Sequence, residues 1–360
     1  MIDNFTSYSI GTYNQLLKMD LLPIFTNKTY KTYEDATNSK TASVNLVQSR
    51  ESGFIYNLEF NPDLMTYDNT YNNEQGYSKV FLEHLENVST LIKNEVSFKS
   101  KIIEIGCGKG LFLNKLKNQG FNITGFDPTY EGEDENIVKD YFSEKYNTSA
   151  DFIILRHTLE HIKDPFSFIH TIAKANNYKG KIYIEVPTFD WISERSAFWD
   201  ITYEHCNYFT EMTLSYMFKK STTGKFFGDQ YIYIIANLED LNDKINITEY
   251  SKYDSLKLTT KISYYNEMLT KLTSVIVWGG ATKSLLFLNQ CDPLREKIQF
   301  VIDINPAKQN RYMAISGHKI YDPTILEKTN VKNIIVANEN YFEEVKSEVK
   351  KYNINVHKLE

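Results

Sequence analysis

The sequence predicts an α/β protein with two Rossmann-like units, and two observations carry that expectation. From about residue 96 onward, short apolar runs alternate with helical stretches, the pattern of a parallel sheet with crossover helices. A strand entering a glycine turn, then a helix, then a strand ending in aspartate occurs twice, at 102–110 with Asp127 and at 275–280 with Asp303.

Residues 1–95 are polar, aromatic and poor in periodic runs. They read as a small irregular N-terminal region that ends in a helix over 77–93. The spacing then predicts a strand at 101–105, a helix at 111–118 and a strand at 122–126. Further strands are expected at 150–155, 181–186 and 230–236, closing a first domain over 96–240. Residues 241–272 read as a charged helical connector. A strand at 275–278 opens a C-terminal Rossmann-like domain over 273–360.

A chain of 360 residues can support two or three cores. Its 42% hydrophobic and 24% charged residues are ordinary for a globular protein in water. A formal charge of −6, with lysines scattered among acids, argues against a nucleic-acid partner. No apolar run approaches the roughly 18 residues of a membrane span. The first residues lack the pattern of a secretion signal, so a cytoplasmic location is expected. Cys107, Cys206 and Cys291 lie too far apart in sequence for a CxxC zinc knuckle or a disulfide framework.

The segment Glu104-Ile-Gly-Cys-Gly-Lys-Gly110 lies between a buried strand and a helix. Gly106 and Gly108 allow a sharp turn and close approach of a ligand, and the helix that follows offers unpaired N–H groups. Asp127 ends the next strand, where a carboxylate can accept ribose hydroxyls. A dinucleotide fingerprint needs glycine at 111, where this chain has Leu111, and its third glycine is Gly110. The GxGxG spacing resembles class I S-adenosylmethionine-dependent methyltransferases. That resemblance implies S-adenosyl-L-methionine as cofactor, with Glu104 and the glycines beside its methionine part and Asp127 on its ribose. It also implies Asp140 and Tyr141 at its adenine.

His157-Thr-Leu-Glu160-His161 matches HxxEH, an inverted zinc-protease pattern. Two histidines one helical turn apart could bind zinc. The segment follows a strand, however, where class I methyltransferases carry a similar LEHxxDP stretch lining the donor site. His157 is therefore expected at the cofactor, Glu160 as a structural acid, and no metal.

Past the fifth strand, segment 198–210 holds Glu204-His205 followed by Tyr208-Phe209. This EHxxYF-type segment resembles the deoxysugar C-methyltransferase family, which acts on nucleotide-linked sugars. The likeness extends over 67–84, the donor fold and 279–323. It implies a reaction centre lined by Glu204, His205, His161 and Tyr71, with Ser78 near the donor. His205 suits the base, having an ordinary pKa near 6.5, with Glu204 to orient it. Two departures stand out. No cysteine precedes Cys107, where the family's N-terminal module binds zinc. Thr202 also replaces a family tyrosine, leaving Tyr203 displaced by one position as a candidate and O-methylation as open as C-methylation.

In the C-terminal domain, Trp278-Gly-Gly-Ala-Thr-Lys283 and Val301-Ile-Asp-Ile-Asn-Pro306 extend the likeness. Lys283 could receive the phosphates of a nucleotide-sugar and Asp303 its ribose, or the unit could only brace the site. Competing readings are a methyltransferase of a non-sugar small molecule, a nicotinamide oxidoreductase and a non-catalytic binding protein.

Overall fold

The computed structural model describes residues 11–66, 71, 76–244, 247 and 249–360. Of the 67–84 stretch, residues 67–70 and 72–75 lie outside the described part.

The N-terminal region is a sheet, which the sequence reading missed. β1 (Tyr13–Pro23), β2 (Thr41–Ser49) and β3 (Ile55–Asn57) pair antiparallel, and the short strand Asn207–Tyr208 adds to β3. Register shifts between Gln15 and Leu17 and between Met19 and Leu22 explain the miss. Each bulge breaks the two-residue alternation by which a half-buried strand is recognised.

α1 (Lys79–Glu95) follows, capped at Ser78. It leads into β4 (Lys101–Ile105), α2 (Leu111–Asn118), β5 (Asn122–Phe126), β6 (Ile137–Val138), β7 (Phe152–Arg156) and α3 (Pro165–Ala175). β8 (Lys181–Pro187), α4 (Phe189–Arg195), β9 (Thr222–Phe226) and β10 (Tyr231–Asn237) complete the sheet, ordered β9-β10-β8-β7-β4-β5-β6. β10 runs antiparallel to both its neighbours, and the other pairs are parallel. Both faces are covered: Phe152 and Ile154 join the core with α1 and α2, while Ile153 and Leu155 join the core with α3. A strand buried on both faces reads as a continuous apolar run, which is why these elements were legible.

α5 (Ser255–Lys271) bridges to the last unit. β11 (Val275–Trp278), α6 (Thr282–Cys291), β12 (Ile298–Ile302), β13 (Ile320–Tyr321), β14 (Asn333–Val336), α7 (Phe342–Glu348) and β15 (Asn355–Lys358) form it. Its strands are all parallel in the order β13-β12-β11-β14-β15. The expected α/β class and second Rossmann-like unit are present. One apolar core joins Leu16, Leu17 and Leu22 of β1 to the buried run 197–203 and to Leu285 and Leu288 of α6, so all three parts share an interior. No helix among the described residues is long and apolar enough to cross a membrane.

Candidate active site

The glycine turn adopts the conformation that its residues permit. Gly106, Gly108 and Gly110 have φ of +75°, +55° and +80°, a region where side chains are strained. A Cβ on Gly106 would lie 2.1 Å from Thr158 Oγ1, so this turn packs directly on the residue after His157. Gly110 caps α2 without a side-chain hydrogen bond to its first turn. Gly108 donates its N–H to Asp127 Oδ2 at 2.8 Å, and Asp127 Oδ1 accepts from the Thr129 amide and hydroxyl. Glu104 is buried with Oε2 unpaired among the described residues, and burial pushes its pKa up to about 8. Asp140 lies beyond β6, held by Lys145 and Tyr146, whose hydrogen bonds pull its pKa down to about 2, while Tyr141 is exposed.

Behind the turn sits a buried polar network absent from the sequence reading. Arg156 binds Glu185 Oε1 through Nε at 3.1 Å and Nη2 at 2.9 Å, and Tyr183 donates to Oε2 at 2.6 Å. His84 Nε2 lies 3.3 Å from the same Oε1. Burial opposes the Glu185 charge, but Arg156 together with His157 and His84 outweighs it, and the pKa falls well below the usual carboxylate range. These partners lie 29 and 101 positions apart in sequence, so no local pattern announces them.

His157 has a left-handed backbone, φ +50°, followed by a 3-10 turn over Leu159–His161. The HxxEH residues therefore do not share one helical face. His157 Nε2 is 3.2 Å from Glu185 Oε1 and its Nδ1 is 3.7 Å from Glu160 Oε1. Burial disfavours its charge, yet the two carboxylates prevail and its pKa is raised.

One cavity joins the three parts of the chain. Ser78, Tyr71, His157, His161, Glu204 and His205 all line it, so six of the expected site residues converge. Its far wall belongs to the C-terminal domain, with Gly279, Asp303, Asn305 and Lys308. Ser78 also ties the domains together, donating to Glu344 Oε2 at 2.9 Å. His161 Nδ1 donates to the Glu204 carbonyl at 3.0 Å, and the His161 and His205 rings meet edge to face at 4.9 Å. Burial and the neighbouring His161 hold the His205 pKa down, to about 4, so the ring is uncharged at neutral pH.

Three expectations need correction. Tyr203 does not reach the cavity: it is 1% exposed within the shared apolar core, and its hydroxyl accepts the Asn61 amide at 2.9 Å. It continues the buried run of Phe198, Trp199 and Ile201, whose apolar side chains drive this loop inward. Glu204 does not orient His205 through its carboxylate. Its Oε1 accepts the Thr26 amide at 2.5 Å and the Thr26 hydroxyl at 2.6 Å, and Oε2 is unpaired among the described residues. Lys283 is already neutralised, with Nζ 2.7 Å from Asp200 Oδ1 and 4.9 Å from the Trp191 ring centroid. Lys308, buried beside Asp303, has no ion pair among the described residues, and Asn305 Nδ2 is a buried donor without a partner.

Comparison with known proteins adds two domain assignments. Residues 78–221 match a family model described as a methyltransferase domain, and residues 238–358 match one described as a C-methyltransferase C-terminal domain. The chain is 25% identical over 117 residues to the ubiquinone biosynthesis O-methyltransferase of Erwinia tasmaniensis, covering 28% of this chain and 46% of the relative. It is 25% identical over 101 residues to the protein of that name in Salmonella enteritidis, covering 24% and 42%. The chain thus spans less than half the length of these curated relatives. Among solved structures it is similar to a putative O-methyltransferase from Nostoc punctiforme, with TM-score 0.34, 19% identity, 45% of this chain and 59% of that one. A 1,6-didemethyltoxoflavin-N1-methyltransferase of Burkholderia thailandensis gives TM-score 0.34, 15% identity, 44% of this chain and 80% of that one.

Proposed function

We propose that this chain, which carries a methyltransferase domain at 78–221 and a C-methyltransferase C-terminal domain at 238–358, transfers a methyl group from S-adenosylmethionine to a small molecule held in the cavity between them. The observation that carries the reading is convergence: the cavity places Glu204 and His205 between the turn-packed His157 side and the C-terminal wall. The donor lies on the glycine turn, its ribose at Asp127 and its adenine toward Asp140 and Tyr141. The acceptor lies against His161 and Tyr71 and gives up its proton at the Glu204–His205 pair. Fixing acceptor and sulfonium carbon in line supplies much of the rate.

A nucleotide-linked sugar is the proposed acceptor, methylated at carbon or at a hydroxyl. Lys308 and Asn305 support it, as a buried ammonium and an unpaired amide donor that suit a phosphate. A second reading, a non-sugar acceptor, is favoured by the relatives named for ubiquinone biosynthesis. The test is transfer from labelled S-adenosylmethionine to a panel of nucleoside-diphosphate hexoses, free hexoses and phenols. Labelling of phenols alone would replace the sugar by the second reading.

A further inference from the structure

We propose that Glu160, His161 and His205 hold one divalent transition-metal cation, zinc or manganese, which takes the acceptor's oxygen as a further ligand. The proposal rests on reading the cavity as the acceptor site, and it reverses the expectation of no metal drawn from sequence.

One ligand atom from each of these residues lies within 4.8 Å of the others, and all three line the cavity. Two imidazoles and one carboxylate, with positions left open, are a donor set used for catalytic cations. Ligands about 2.1 Å from a tetrahedral ion stand about 3.4 Å apart, so closure asks roughly an ångström of side-chain approach.

Two independent features point to a ligand here. Glu160 is 2% exposed, and its Oε2 has no hydrogen-bond partner among the described residues, while Oε1 faces His157. A buried carboxylate oxygen left bare costs free energy that a cation would recover. The His161 Nδ1–H is spent on the Glu204 carbonyl at 3.0 Å, which puts the ring's lone pair on Nε2. A ligating histidine typically shows this outer hydrogen bond. The other group with comparable spacing, His84, His157 and Glu185, fails the same reasoning. Arg156 Nη2 already sits 2.9 Å from its carboxylate, and a second cation there would meet like charge.

The cation would act as a Lewis acid. With the cation in place, the acceptor's hydroxyl would give its proton to Glu204, which lines the same cavity and whose Oε2 has no hydrogen-bond partner among the described residues, and the oxygen's electron pair would attack the methyl carbon. The O–C bond forms as the S–C bond breaks, and that pair stays on sulfur in S-adenosylhomocysteine.

The test is zinc and manganese titration of the chelator-stripped full-length protein, with elemental analysis after gel filtration. About one ion per chain is expected, with affinity lowered about tenfold or more in H161A, H205A and E160Q. Buried Glu160 could fail to fold on substitution, so the two half-buried histidines carry the test, each checked for a melting shift with S-adenosylhomocysteine. Folded protein that keeps this shift but takes up neither metal in large excess overturns the site. So does metal binding indifferent to both histidine changes, or methyl transfer undiminished in EDTA, which would leave the methyltransferase reading standing. Metal uptake without any shift from S-adenosylhomocysteine would keep the cation and sink that reading.

Discussion

Gly280 donates its backbone N–H to Asp303 Oδ2 at 2.6 Å, and Gly108 does the same to Asp127 Oδ2 at 2.8 Å. In both units a carboxylate at the end of the second strand pins the glycine turn after the first. The pin holds the turn's amides before any ligand arrives, which lowers the ordering cost of binding.

If the first of these turns holds the donor, S-adenosylhomocysteine raises the melting temperature and NAD does not, because a ligand bound only by the folded state stabilises it by mass action. Asp127→Ala removes both the pin and the ribose acceptor, so the shift should largely vanish. Equal shifts with NAD, measured by scanning fluorimetry, would discard the assignment.

His205→Ala is expected to lower turnover by on the order of a hundredfold, with donor affinity nearly unchanged. His205 lines the cavity while the glycine turn does not, so the two properties separate. Wild-type turnover in this variant would remove His205 from the reaction centre. His161→Ala should be milder under the same assay.

Glu104 makes stability depend on pH. Its folded pKa is raised from 4.5 to about 8, mainly by burial, so the folded chain keeps a proton that the unfolded chain loses. The contribution is complete below pH 4.5 and is lost as pH rises toward 8, a fall on the order of a few kcal/mol. Urea melts from pH 5 to 8 should show this decline, and Glu104→Gln should flatten it; parallel curves for the two proteins would refute it.

Lys283 and Lys308 should behave oppositely. Lys283→Met leaves Asp200 buried without its ion pair and should cost about 3–5 kcal/mol. Lys308→Met removes a buried ammonium that lacks an ion pair among the described residues, so stability should hold or rise while the acceptor's KM increases. A KM effect confined to Lys283 would restore the original placement of the anion site.

How much was legible follows from which patterns are local. The strand Lys101–Ile105, the helix Leu111–Asn118 and the strand Asn122–Phe126 have the bounds expected from sequence, because both sheet faces are buried and the runs are continuous. The convergence of His161 with Glu204 and His205 came through a family resemblance, not through spacing. The pairing of Arg156 with Glu185 was not legible, since Glu185 lies on the next strand and only parallel pairing of β7 with β8 sets the two side by side. Lys283 was read without its partner for a similar reason: a lysine beside a glycine turn invites an anion, and nothing local reveals Asp200 on another element.

The core shared by β1 and α6 has a consequence for synthesis on the ribosome. Leu16, Leu17 and Leu22 emerge well before α5, the helix that packs on their strand and brings Leu258, Tyr265 and Leu269 into the same core. The first strand therefore waits through more than two hundred and thirty residues of translation with part of its apolar side uncovered. Its bulges break up a flat pairing edge over that interval, which disfavours capture by other nascent chains.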